Sequence, residues 1–393
     1  MLLGLARKNP AFVVFWLVGA YAWMLVFDFA PLVAPIAKDF AINYTQIGAL
    51  QTATFLPYTA LQVIAGGIAD IYASKKIITA AIGLVTVASI LSPLSSTYTE
   101  ILICRIFIGV SMAFVFVPSA KLLRDSVDQD EQGTIFGFYG SSFAAGAIGA
   151  SVLPLVLLDY LQNWRLSLLV LATLGIGAFA LALAGPVPKR YSSGNQTESK
   201  AAVGSFSLML KRPQNWSLAY DQFVRGGLGV GLSTWIPTYV IQQHGFSLFQ
   251  SSLILGGIWI LAFIGTILGG VFSDKVRSNF AVIELALIIL APSILILATT
   301  TNSSLLWVSS LLVGAVVYFN MGPLFAIVPR IVESNRVGLA IGLQNMFASA
   351  GGFTIPIVFG FFRDSMGTFT LGWFSFVILV IVGALASTNL RHY

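Results

Sequence analysis

Gly66-Gly67-Ile68-Ala69-Asp70-Ile71-Tyr72-Ala73-Ser74-Lys75-Lys76 is a short charged hinge between two long apolar runs. Its small residues, Gly66, Gly67 and Ala69, let a neighbouring helix approach closely. Asp70 stands where apolar chain meets water, and Lys75-Lys76 follow at once. About two hundred residues later the pattern returns as Gly269-Gly270-Val271-Phe272-Ser273-Asp274-Lys275-Val276-Arg277. Gly-x-x-x-Asp is kept in both copies, from Gly66 to Asp70 and from Gly270 to Asp274. A charged hinge between apolar runs, made twice, points to a chain that crosses a membrane many times and carries an internal repeat.

The composition agrees. Of 393 residues, 57% are hydrophobic and only 9% charged, and the mean hydropathy is +0.89. A soluble domain carries about 25% charged residues, so the solvent of this chain is largely lipid. The net charge of +6 does not signal nucleic acid, because the basic residues are sorted by membrane side rather than gathered in one patch. Cys104 is the single cysteine, which excludes an intrachain disulfide framework and offers no metal cluster. No phosphate-cradling Gly-x-x-x-x-Gly-Lys-Ser/Thr loop occurs, so ATP-driven transport within this chain is not expected. No cofactor is expected and no catalytic cluster is present, so an enzyme is not expected either. Met1–Pro10 is too short to be a cleaved signal, and the first apolar run is read as a retained span.

A spanning helix needs about 20 mostly apolar residues. Twelve stretches qualify: 11–36, 47–69, 76–96, 101–123, 133–157, 164–186, 215–240, 250–272, 280–300, 305–329, 338–362 and 369–388. With the N-terminus in the cytoplasm, sixteen Lys and Arg lie inside, against Lys38, Arg165 and Arg363 outside, while Arg105 and Arg225 fall within spans. That bias places both termini on the cytoplasmic side, and short loops favour a bacterial inner membrane. The longest polar interruption, Pro186 to Pro213, reads as a solvated linker with a short surface helix near Phe206–Leu210. The expected fold is therefore an all-α membrane protein with twelve transmembrane helices in two pseudo-symmetric six-helix bundles. Its domains are 1–186 and 214–393, joined by a cytoplasmic linker at 187–213. A shift of 205 residues superposes Gly109 on Gly314, Pro118 on Pro323, Gly133 on Gly338, Gly137 on Gly342 and Gly146 on Gly351.

Gly66-x-x-x-Asp70 with Lys75, its echo at Gly270–Arg277, and Arg105-x-x-x-Gly109 together resemble the major facilitator superfamily. So does the run Pro118-Ser119-Ala120-Lys121 through Asp125, Glu131 and Gly133. The resemblance covers nearly the whole chain and is weak for any substrate family. Ile71 departs from the pattern's basic residue after the Asp, whereas Lys275 keeps it. The resemblance implies alternating access about a site between spans one, four, seven and ten. It also implies a gating role for Gly66, Asp70, Lys75, Gly270, Asp274 and Lys275. An Asp at a helix end can accept from the N-terminus of a neighbouring helix and pair with nearby Lys or Arg.

Five ionisable residues fall inside spans: Asp28, Arg105, Asp221, Arg225 and Glu284. Charges at that depth face a cavity, a partner or a pathway. Asp28 has no basic neighbour in its own span. It is either a carrier in proton coupling or paired with a basic group such as Arg105, and Pro31 can open the helix beside it. Arg105 either takes part in coupling or snorkels to the outer interface. Asp221 and Arg225 are four residues apart on one helix face. They form an internal ion pair, or Arg225 binds a substrate carboxylate with Asp221 as a competing partner. Glu284 reads as interfacial. Cavity-lining polar and aromatic residues complete the expected site: Tyr21, Trp23, Gln51, Tyr58, Gln62 and Tyr139, then Trp235, Tyr318, Asn320, Gln344 and Asn345. For each of these, helix–helix hydrogen bonding is the alternative.

The expected function is proton-coupled import, or facilitated passage, of a small polar organic solute: an organic acid, amino acid or short peptide. The expected partners are that solute, protons and the lipid bilayer, with the chain acting as a monomer. A proton-coupled exporter of hydrophobic or cationic drugs, using Asp28, is the rival.

Overall fold

The computed structural model describes residues 10–124, 132–186, 213–331 and 337–391, apart from some side chains within helices. The expected linker, its surface helix and Asp125 and Glu131 lie outside the described residues, as do the side chains of Asp70 and Asp274. Among the described residues the chain is helical and forms no strand.

The α-helices are α1 (Ala11–Phe27), α2 (Val33–Phe40), α3 (Tyr44–Ile71), α4 (Ser74–Leu91), α5 (Tyr98–Arg124), α6 (Gln132–Leu161) and α7 (Trp164–Ala184). They continue as α8 (Pro213–His244), α9 (Leu248–Val276), α10 (Asn279–Thr299), α11 (Ser303–Val317), α12 (Met321–Ile331), α13 (Val337–Met366) and α14 (Thr370–Ser387). Among the described residues, ten helical stretches are long and apolar enough to cross a membrane, with α1–α2 and α11–α12 each counting as one. α3 and α8, of 28 and 32 residues, are long enough but are not among the ten. α8 carries Asn215, Asp221, Gln222 and Arg225, yet almost every residue from Asn215 to Val240 is buried. It is a polar helix wrapped in protein.

Two of the expected spans are interrupted. The run 11–36 is not one helix: α1 stops at Phe27, and a 3-10 turn at Ala30–Leu32 leads into α2. The run 305–329 likewise stops at Val317 and restarts at Met321. Each break lies about a turn before a proline, Pro31 or Pro323, which has no N–H for the carbonyl four residues back. Proline alone does not decide this, because Pro57, Pro118, Pro154, Pro237, Pro292 and Pro356 all sit inside continuous helices.

The chain divides into two compact units. The first comprises Met1–Ile42 and Ala53–Gln196, the second Asn43–Thr52 and Thr197–Tyr393. In the first, α1 packs on α6, and α4 packs on α5 and α7. In the second, α8 packs on α13, and α10 packs on α11 and α14. The glycines repeat as contacts, not only as letters. A Cβ on Gly109 would overlap the carbonyl of Thr54, and one on Gly314 that of Ile258. A Cβ on Gly146 would overlap the carbonyl of Ala20, and one on Gly351 that of Phe223. Matched glycines therefore let the same helix pairs approach backbone to backbone in each unit.

The start of α3 is held in the second unit. Asn43 and Gln46 cap each other: Gln46 N donates to Asn43 Oδ1 at 2.8 Å and Asn43 N to Gln46 Oε1 at 3.0 Å. Asp364, near the end of α13, accepts from Tyr44 N at 3.0 Å and from Thr45 N at 2.7 Å.

Candidate functional site

Asp28 sits at the end of α1, where the helix opens. Arg105, from α5, reaches into this opening. Its Nη1 lies 3.3 Å from Asp28 Oδ1 and donates to the carbonyl of Leu25 at 3.1 Å, and its Nη2 donates to the carbonyl of Val26 at 2.5 Å. The Phe29 ring covers the guanidinium at 4.4 Å. Arg105 is 2% exposed and does not snorkel. A broken helix frees carbonyls that an arginine can take, and this fork takes two of them along with a carboxylate. Of the two readings for Asp28, the paired one is present. Earlier on α1 lies an aromatic cluster centred on Trp23, whose ring meets Tyr58 edge-on at 5.7 Å, Phe116 at 5.8 Å and Phe143 at 4.7 Å. Tyr139 is buried and stacks on Phe116 at 5.4 Å. Tyr21 donates its hydroxyl to the carbonyl of Ala172 at 3.0 Å, so it is engaged in helix packing.

The second unit holds Arg225, and of its two readings the ion pair with Asp221 is not formed. Arg225 Nε donates to Gln222 Oε1 at 2.8 Å. Among the described residues no acceptor lies within hydrogen-bonding distance of its Nη atoms, and the side chain keeps 7% exposure. The Tyr318 ring covers the guanidinium at 5.1 Å. Tyr318 is the first residue of the break between α11 and α12, and its ring packs on Trp259 at 5.7 Å. Asp221 turns elsewhere: a Cβ on Gly383 of α14 would stand 3.0 Å from its Oδ1. Asp221 is 1% exposed, and neither carboxylate oxygen has a hydrogen-bond partner among the described residues. Residues three and four before Arg225 both neighbour it on the helix, and Gln222 makes the contact while Asp221 turns away. Glu284 accepts from Ser387 Oγ at 2.5 Å.

Polar groups without partners gather in this unit. Gln222 Nε2, Asn320 Oδ1 and both polar atoms of the Gln344 side chain are buried and unbonded among the described residues, as are both of Gln51. Asn345 is half-buried one residue beyond Gln344. Trp235 is fully buried, donates to the carbonyl of Pro356 at 3.2 Å and stacks on Phe359 at 5.4 Å, so it belongs to the α8–α13 packing. Gln222 was not expected from sequence. Its i, i+3 spacing to Arg225 was the available signal.

Of the hinge residues, Lys75 donates its Nζ to the carbonyl of Gly185 at 2.5 Å, capping the C-terminus of α7 within the first unit. Among the described residues, a Cβ on Gly66 would meet only the Val117 side chain, and Gly270 packs against Gly322. Lys275 is exposed in the last turn of α9.

Three relatives are similar over most of their length. "Probable sulfoacetate transporter SauU" of Cupriavidus necator is 24% identical over 91% of this chain and 87% of its own. The "Hexuronate transporter" of Bacillus subtilis is 22% identical over 85% of this chain and 83% of its own. "Probable nitrate transporter NarT" of Staphylococcus carnosus is 22% identical over 95% and 92%. A solved bacterial homologue of the human lysosomal transporter Spinster, in an inward-facing and occupied conformation, shares the fold. It has a TM-score of 0.83, 16% identity, and coverage of 99% of this chain and 98% of its own. The Major Facilitator Superfamily profile matches residues 11–356, and the chain belongs to that superfamily of membrane transporters, as the Gly-x-x-x-Asp hinges and the Arg105-x-x-x-Gly109 run implied.

Proposed function

We propose that this chain imports a small organic acid by proton-coupled alternating access. Its twelve transmembrane helices form two six-helix bundles, 1–186 and 214–393, about the 187–213 linker. The observation that carries the reading is Arg225: a buried guanidinium fixed at Nε by Gln222, covered on one face by Tyr318, and with no anion on its two Nη atoms among the described residues. A buried arginine without a counter-ion is unfavourable unless a ligand supplies one, and its planar fork fits a carboxylate. The break at Tyr318–Asn320 supports the same place, since discontinuous membrane helices line binding sites. The names of the relatives cite sulfoacetate, hexuronate and nitrate, and all three are anions. Asp28 and Arg105 supply the coupling: protonation of Asp28 would loosen Arg105, and proton release would restore the pair. The rival export of cationic drugs loses support, because Asp28 is already occupied by Arg105. Sorting of Lys and Arg supports an inner membrane with both termini in the cytoplasm.

The test is thermal stabilisation of the purified protein across carboxylates, amino acids, peptides and cationic drugs. A ligand at 100 times its Kd adds about 2.7 kcal/mol of stability. Carboxylates should raise the melting temperature, and Arg225→Ala should remove the rise. Stabilisation by cationic amphiphiles alone, lost in Asp28→Asn, would overturn the reading.

A further inference from the structure

The groups around Arg225 are not those of a site for a bare anion. An inorganic oxyanion or a simple carboxylate offers only acceptors, and a guanidinium with two free Nη groups is sufficient for it. Amides are different, because each presents a donor and an acceptor that both need partners when buried. Gln222 has spent its Oε1 on Arg225, which leaves its buried Nε2 as an unbonded donor. Gln344, 1% exposed, has neither atom bonded, and Asn320, 3% exposed, has an unbonded Oδ1.

Their placement follows from the helix register. α8 and α13 run parallel: Gly226 packs on Ala348, Gly231 on Ile355, and Trp235 on Phe359. Gln222 stands one turn before Gly226, and Gln344 one turn before Ala348, so the two amides share a level. Asn320 lies two residues past the Tyr318 ring that covers Arg225. Three buried amides with unmet hydrogen-bonding capacity therefore belong with one guanidinium in a single unit.

We infer that the anion taken at Arg225 is a hydroxylated organic acid, one carboxylate on a carbon chain bearing hydroxyl groups. Arg225 holds the carboxylate. Gln222 Nε2 donates to a hydroxyl oxygen, while Asn320 Oδ1 and Gln344 Oε1 accept from hydroxyl hydrogens. A ligand with its own donors, O–H here, satisfies those acceptors, which separates this class from nitrate, from sulfoacetate and from unsubstituted fatty acids. This inference rests on the reading of Arg225 as the anion-binding residue.

The experiment measures dissociation constants of the full-length protein for gluconate, hexanoate, nitrate and sulfoacetate, by titrating thermal stabilisation. Gluconate and hexanoate carry the same number of carbons and differ in their hydroxyls. Gluconate should bind at least about tenfold more tightly than hexanoate, as sites built to bond a hydroxyl discriminate against analogues that lack it. Gln344→Leu and Asn320→Leu, measured separately, should each shrink that ratio by several-fold, while hexanoate affinity stays within about twofold. Folding is read from the ligand-free melting temperature. Removing an unsatisfied buried amide should leave that temperature unchanged or raise it. Equal binding of hexanoate and gluconate, both lost in Arg225→Ala, would overturn this inference and leave the anion reading intact. A ratio unchanged in both Leu variants would overturn the assignment of the amides. Loss of nothing in Arg225→Ala would overturn the anion reading itself.

Discussion

The guanidinium of Arg105 closes the break in the first span by holding Asp28 at 3.3 Å while also donating to two freed carbonyls, those of Leu25 and Val26. Breaking a buried pair by removing one partner costs about 3–5 kcal/mol, because the other charge is left uncompensated. Arg105→Ala should lower the melting temperature more than Asp28→Asn, because it also strips the donors from the Leu25 and Val26 carbonyls, whereas the Asn amide still accepts from Arg105. In proteoliposomes, Asp28→Asn should keep substrate counterflow and lose accumulation driven by a proton gradient. Accumulation undiminished in that variant would remove Asp28 from the coupling.

Gln222→Glu puts a carboxylate where a neutral amide now holds Arg225 Nε at 2.8 Å. The new ion pair should compete with substrate for the guanidinium. Anion affinity should fall by about a hundredfold or more, since a close buried charge pair is worth several kcal/mol to whichever carboxylate wins it. Gln222→Leu removes the positioning bond and adds no charge, and should cost about tenfold. Binding equal in the Glu and Leu variants would mean that Gln222 acts by packing alone. The Glu variant should also lose its deficit as pH falls and the new carboxylate is neutralised, which a packing defect would not do.

How much of this was legible in the sequence follows from which forces act locally. Apolar runs of span length are dictated by lipid, and they survive in ten of the helical stretches. The glycine repeat was legible because close helix approach admits no side chain, and the same helix pairs meet at Gly109 and Gly314. The break beside Asp28 was signalled by Pro31. The break at Tyr318–Asn320 was not anticipated, because Pro323 reads no differently from Pro292 or Pro356, which helices absorb. Of the two readings left open for Arg225, the ion pair with Asp221 is absent for a tertiary reason. α14 leaves room at Gly383 into which Asp221 turns, and nothing near Arg225 in sequence records that. Lys75 is bonded to the end of α7, a contact 110 residues away that no local pattern records.

The α8–α13 seam gives a stability test with its own control. A Cβ on Gly226 would overlap the Ala348 backbone, which cannot move aside as a flexible side chain would. Gly226→Ala should cost about 1–3 kcal/mol, the range for overpacking a tight interface. Gly140, inside α6, has nothing within 4 Å of its would-be Cβ. Gly140→Ala should stabilise by up to about 1 kcal/mol through lower backbone entropy in the unfolded chain. Melting temperatures moving the same way in both variants would contradict the packing described for Gly226.

The carboxylate of Asp364 does for α3 what a cap residue normally does from within the chain. It accepts from Tyr44 N at 3.0 Å, from Thr45 N at 2.7 Å and from Thr45 Oγ1 at 2.5 Å, and so meets two of the N–H groups that a helix start leaves open. Its charge also faces the positive end of the helix dipole. The neighbouring Arg363 lies over the Tyr44 ring at 5.0 Å, and Tyr44 donates its hydroxyl to Gln242 Oε1 at 2.9 Å, so several weak contacts surround the cap. Asp364→Ala should cost about 0.5–2 kcal/mol, the usual value of a cap. Asp364→Asn should cost less, because one amide oxygen still accepts while the charge is gone. The difference between the two separates hydrogen bonding from charge, and raising salt should narrow the gap between wild type and Asp364→Asn. Hydrogen exchange at Tyr44 and Thr45 gives the local readout. Protection of those two amides should fall in Asp364→Ala, and unaltered protection there would show that Asn43 and Gln46 cap the helix without help.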